Sequence, residues 1–154
     1  DRVDADQTRS PRHWDIGYVR RFMVVFGLVS SLFDAVTFAF LLLVAGATAQ
    51  IFQTGWFVES LITELAIVLV VRTRKALWRS RPGALLSWLT LAVALFAVAI
   101  PYLPGAGWFG FVPLPWWVMA GLTAITLAYL AASEATKRWF YSREGRHAKR
   151  RRNI

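Results

Sequence analysis

Apolar residues along this chain come in four long blocks, separated by short polar, glycine- or proline-containing stretches. The first runs from about residue 22 to 46, broken only by Asp34. The second runs from about 55 to 71 and contains Glu59 and Glu64. The third, about 84 to 103, has no charge, and the fourth, about 115 to 135, has Glu134 near its end. Crossing a bilayer core of ~30 Å takes about 20 helical residues at ~1.5 Å each. Each block therefore predicts a transmembrane helix, the second short enough to cross with little tilt. Helices are the expected form, because hydrocarbon offers the backbone no other hydrogen-bond partner. The predicted fold class is all-α, an integral-membrane four-helix bundle over 22–141. A polar segment, 1–21, precedes it, and a basic tail, 142–154, follows.

Charge gives the bundle an orientation. All 18 Lys and Arg fall before or at the start of the first block, between the second and third, or after the fourth. The loops "GATAQIFQT" and "PYLPGAGWFGFVPLP" contain none. Four alternating crossings with the basic side cytoplasmic produce this pattern, which places both termini inside. Tryptophans fit the same boundaries: Trp56, Trp108, Trp116 and Trp117 on the outer side, Trp14, Trp78, Trp88 and Trp139 on the inner. Overall the chain is 56% hydrophobic and 18% charged, with a mean hydropathy of +0.45; soluble domains are roughly 45–50% apolar and about 25% charged. It has no cysteine, which excludes disulfides, thiolate metal sites and cysteine nucleophiles. His13 and His147 lie outside the apolar blocks. The opening "DRVDADQTRSPRHWD" lacks the basic-then-apolar order of a signal peptide and reads as a loop within something longer.

The acids inside the blocks carry the candidate chemistry. Asp34 lies ~16 Å along the helix axis from Met23, and Glu64 ~14 Å from Gly55, both near mid-membrane. Glu59 is shallower. An acid at the centre of an isolated helix costs roughly 2.5–3.5 kcal/mol on insertion scales, so it should face protein, water or an ion. Ser30, Ser31 and Thr37 share a helix face with Asp34, and Ser60 shares one with Glu64, with Thr63 beside it. Such oxygen-only sets suit hard cations such as Mg²⁺, Ca²⁺ or Na⁺, or protons. Asp34, Glu59, Ser60 and Glu64 are the candidate metal-contacting residues. Glu59 and Glu64 sit about 140° apart around a helix, which argues against one bidentate site. The competing reading makes these acids protonated packing groups, hydrogen-bonded across the bundle.

Other features carry less. Ala120, Ala124, Ala128 and Ala132 form a small-residue stripe along which another helix can approach closely. "GAGWFG" (105–110) matches a glycine-rich dinucleotide pattern, but no strand precedes it and no acid follows about 20 residues on, so a flexible turn is expected. Glu134 precedes Arg138 by four residues, the order for a weak surface ion pair. The basic tail, directly after a span, is expected to contact anionic lipid headgroups rather than nucleic acid. No phosphate-binding loop and no Ser/His/Asp arrangement is present, so no catalytic residue is assigned and no nucleotide site is expected in this chain.

"DRVDADQTRSPRHWDIGYVRRFMVVFGLVSSLFDAVTFAFL", "IFQTGWFVESLITELAIVLVVRTRK" and "KRWFYSR" together resemble the C-terminal membrane region of P-type ATPases, most nearly the magnesium-transporting P3B-type subfamily. The resemblance covers nearly the whole chain. It implies that the four spans are the seventh to tenth helices of a ten-helix, ATP-hydrolysing pump of the bacterial inner membrane, with Mg²⁺ the candidate transported ion. ATP would be handled only by upstream domains. The partners implied are those domains and the upstream membrane helices. In related pumps the eighth helix contributes to ion binding at a position that aligns with Glu64 within a residue, although some relatives carry an amide there. The "S-x-x-x-D" of the seventh helix falls on Ser30 and Asp34. The alternative is a freestanding four-helix scaffold or accessory subunit, in which the acids only pack.

Overall fold

The computed structural model describes residues 16–72 and 82–152, with side chains through Ser142. Residues 1–15 with His13 and Trp14, the basic turn 73–81 with Trp78, and the tail's side chains, His147 included, lie outside the described residues. Among the described residues, four helices are long and apolar enough to cross a membrane. Helix α1 is Ile16–Ala39 and passes into a π-helical turn, Phe40–Val44. Helix α2 is Ala49–Val71. Helix α3 is Ala84–Ala99, extended by a 3₁₀ turn, Ile100–Tyr102, and α4 is Trp116–Arg152. The all-α membrane bundle expected from the apolar blocks is thus observed. Helix α4 packs against both α1 and α2, while α3 leans on α2.

The block edges differ from the predicted ones in two informative places. Ala49–Thr54, expected as loop, is helical. Gly46 turns the chain at φ +53, and Thr48, in an extended conformation, accepts a hydrogen bond from the Ile51 amide at 3.4 Å. A polar sequence that begins with such a cap can be helical without being apolar. Helix α4 likewise continues past Ala135 into the basic tail.

Hydrocarbon gives apolar helix faces no hydrophobic reason to associate, so close packing and polar contacts must hold the bundle. The close packing is at glycines. A Cβ on Gly121 would collide with the Phe40 ring, and one on Gly55 would stand 3.0 Å from a Leu41 methyl. The π turn therefore delivers two consecutive side chains, Phe40 onto α4 and Leu41 onto α2. Leu41 joins Leu114, Val118 and Leu122 in a buried cluster. This corrects the alanine-stripe expectation: Ala120, Ala124 and Ala128 are exposed in this chain, and Gly121 is the point of close approach.

The "GAGWFG" segment is ordered by its surroundings. Gly105 (φ +94) and Gly110 (φ +76) flank a 3₁₀ turn, Ala106–Phe109. The Gln53 amide nitrogen donates to the Phe109 carbonyl at 3.1 Å, and Thr54 Oγ1 accepts from the Val112 amide at 3.1 Å. The helical Ala49–Thr54 stretch is what supplies both anchors. At the opposite, basic end, Tyr18, Phe22, Phe26 and Phe140 stack or meet edge-on, joining α1 to α4.

Candidate functional site

Midway along the bundle, α1, α2 and α4 line a half-open cavity of about 420 Å³. Asp34 and Ser30 reach it from α1, Glu59, Ser60, Thr63 and Glu64 from α2, and Tyr129 from α4. Phe33, Trp56 and Ile67 complete its wall. All four carbon-borne oxygen groups singled out in the sequence, those of Asp34, Glu59, Ser60 and Glu64, therefore share one space. The 140° between Glu59 and Glu64 does not separate them, because the cavity spans several turns of α2. Ser31, by contrast, is exposed and does not line it.

The three acids are in different states. Glu59 is 2% exposed. Asp34 and Glu64 are exposed within this chain. Asp34 shares the cavity with Glu59, and the wholly buried Thr37 hydroxyl stands beside the Glu59 carboxyl without making a hydrogen bond of good geometry. Oε2 of Glu59 and Oγ of Ser60 are both buried with no hydrogen-bond partner. Buried polar atoms are nearly always paired, so such orphans call for a water, an ion or a further partner.

Hydroxyls frame these acids. Thr63 Oγ1 donates back to the carbonyl oxygens of Glu59 and Ser60, both at 3.0 Å, which leaves its lone pairs for the cavity. Ser30 Oγ and the Tyr129 hydroxyl lie 2.8 Å apart and bridge α1 to α4. The Phe33 ring meets Tyr129 edge-on at 5.4 Å. Sequence reasoning missed Tyr129, because a tyrosine in an apolar block reads as an interfacial or packing residue. Thr37 was counted with Asp34, yet it faces Glu59 on the neighbouring helix.

Among the described residues, no three acidic or histidine side chains converge closely enough to hold a metal ion by themselves. The cavity thus offers oxygen ligands from one side and leaves Asp34 and Glu64 unclosed.

A second polar cluster lies at the basic end. Glu134 was expected at the surface, in a weak pair with Arg138. It is instead 6% exposed and pairs with Lys137 at 2.8 Å, with Arg138 farther off at 3.5 Å. Lys137 is 1% exposed, and its Nζ also donates to the Val70 carbonyl of α2 at 3.0 Å. The i,i+4 rule selects Arg138, but burial of that face by α2 favours the i,i+3 partner.

Membrane-length helices with acids gathered midway along them form a membrane domain with a polar interior. The comparison with known families agrees: the family described as "Cation transporting ATPase, C-terminus" matches residues 4–139, and this chain belongs to that family. It is a multi-pass integral membrane protein. It is 36% identical over 148 residues to "Magnesium-transporting ATPase, P-type 1" of Salmonella typhimurium strain LT2, and 34% identical over 148 residues to the protein so named from Escherichia coli K12. Each match covers 93% of this chain and 16% of the relative.

Proposed function

We propose that this chain is the C-terminal membrane part of an ATP-driven pump that moves Mg²⁺ across a bacterial inner membrane. Its four helices, with both ends cytoplasmic, support the upstream transport helices and lend oxygen ligands to the ion path from the Asp34/Glu59/Glu64 cavity. The observation that carries this reading is Glu59, nearly wholly buried, with one oxygen unpartnered beside Asp34 in an all-oxygen cavity. Glu134, the buried acid that packs, has an ammonium at 2.8 Å, whereas no basic residue lines the cavity around Glu59. The half-built state of the site fits a chain that spans 16% of its relatives' length. Mg²⁺ retains several waters and takes few carboxylates, so one or two acids with hydroxyls suffice on this side. Hydrolysis of ATP belongs to upstream domains, and the basic residues beyond Ser142 meet anionic headgroups on the cytoplasmic face.

The test uses the full-length pump in proteoliposomes. Glu64→Gln and Glu59→Gln should each raise the Mg²⁺ concentration for half-maximal ATPase roughly tenfold while the protein remains folded, a loss equivalent to about 1.4 kcal/mol. Asp34→Asn should reduce coupling of hydrolysis to transport more than it shifts that concentration. Wild-type Mg²⁺ dependence in both glutamine variants would remove the cavity from the ion path.

A further inference from the structure

Lys137 is the most deeply buried charged side chain among the described residues, and the ion-path reading makes no use of it. Its Nζ donates to the carbonyl oxygen of Val70, in the last turn of α2, at 3.0 Å, and is ion-paired with Glu134 Oε2, one turn back on α4, at 2.8 Å. Carbonyls of a helix's last turn have no partner within the helix and carry its partial negative charge. Lys137 therefore caps α2 from another helix, and Glu134 neutralises the charge that does so. Val70 itself is wholly buried, so the contact lies inside the interface rather than on its rim.

Such a contact is a poor source of net stability. Desolvating a charged pair offsets most of its attraction, and an apolar pair of similar volume often serves as well or better. What it supplies is direction. The apolar faces of α2 and α4 can slide or rotate past each other at small cost in van der Waals contact, whereas a charge-assisted hydrogen bond fixes both distance and angle. Along α2, Val70 is ~9 Å of rise from Glu64 and ~16 Å from Glu59. Along α4, Lys137 is ~12 Å from Tyr129, which closes the cavity opposite them.

We propose that Lys137 is a positioning residue for the cavity. Its bond to Val70 sets the axial register of α2 against α4, and hence the height at which Glu59 and Glu64 stand relative to Ser30 and Tyr129. The effect on transport rests on the ion-path reading above; the register does not.

The experiment uses the full-length pump carrying K137M, K137R or the double change E134L/K137M. The double variant removes the tether without stranding a charge, so it separates register from misfolding. Nitroxides at V68C and L127C, exposed positions on α2 and α4, report the separation of the two helices. The Mg²⁺ concentration for half-maximal ATPase reports the site. K137M and the double variant should shift or broaden the interspin distances and raise that concentration about tenfold, with kcat changed less; K137R should restore both in part. Wild-type interspin distances in a monodisperse K137M or double variant overturn the register. Shifted distances with a normal Mg²⁺ response, in a pump whose Glu64→Gln variant does respond, overturn the positioning role. Shifted distances with no Mg²⁺ effect from either change support the register and overturn the ion-path reading instead.

Discussion

Helix α2 carries polar groups in two regions, and they are finished differently. Near its end the Val70 carbonyl accepts from Lys137, whose ammonium is ion-paired with Glu134 at 2.8 Å, so charge is balanced there even though neither Glu134 oxygen makes a hydrogen bond of good geometry. At mid-helix Glu59 is as deeply buried, yet Oε2 finds no partner, and Asp34 and Glu64 are left exposed beside it. Glu59, Lys137 and Glu134 are buried to a similar degree, so burial does not distinguish the two regions. Charge balance does. A buried acid with an ammonium beside it contributes to structure, because a cation has little to gain there. Acids gathered with no basic residue in the lining have lost solvation and recover it only when a cation, proton, water or neighbouring helix arrives.

That contrast can be broken most easily at the closed cluster. Glu134→Ala removes the carboxylate 2.8 Å from the buried Lys137 ammonium and should destabilise the full-length pump by about 3 kcal/mol, read as a fall in unfolding midpoint in detergent. The double change E134L/K137M should recover most of that loss. Failure of the double variant to do so would mean the ion pair supplies net stability after all.

The next effect isolates packing from polarity. Gly121→Val drives a side chain into the Phe40 ring and should cost about 2 kcal/mol, with Gly121→Ala smaller but of the same sign. Ala124→Val, on an exposed stretch of the same helix, should leave the stability of this four-helix portion nearly unchanged. Equal losses at both positions would restore the alanine stripe as an internal contact.

The open cluster should behave in the opposite way. Glu59→Gln removes a carboxylate without a completed set of partners, so the unfolding midpoint should hold or rise. The Mg²⁺ response should fall roughly tenfold, equivalent to about 1.4 kcal/mol. A large stability loss there would assign Glu59 to packing. Smallest of all, Tyr129→Phe removes one interhelical hydrogen bond, to Ser30, worth about 0.6 kcal/mol inside a membrane. An unchanged midpoint with an altered Mg²⁺ response would assign the Tyr129 hydroxyl to the site instead.

Much of this organisation was legible before any coordinates. The four apolar blocks appear as four helices because a segment in hydrocarbon has almost no choice of backbone. Edges were less legible where helix and polarity part company: Ala49–Thr54 reads as loop by composition but is started by Thr48 and kept by its bonds to the 109–112 stretch. Asp34, Glu59, Ser60 and Glu64 were found because acids in apolar runs are costly and hence conspicuous. Their gathering into one cavity was not, since the angle between Glu59 and Glu64 on a single helix says nothing of the width of the space they face.

The order of residues alone determined which segments are helices of membrane length and which of them carry acids midway along their length. Those depend on hydropathy and charge, which belong to individual segments. Only tertiary structure decided that Glu59 is buried while Glu64 is open, that Tyr129 and Thr37 join the acids, and that Lys137 turns inward to Val70. Lipid and protein interior are nearly equivalent solvents for an apolar side chain, so hydropathy cannot tell which face of a membrane helix meets a neighbour. That is settled by fit between helices, at Gly121 and Gly55, and by which polar atoms can reach one another once the helices are docked.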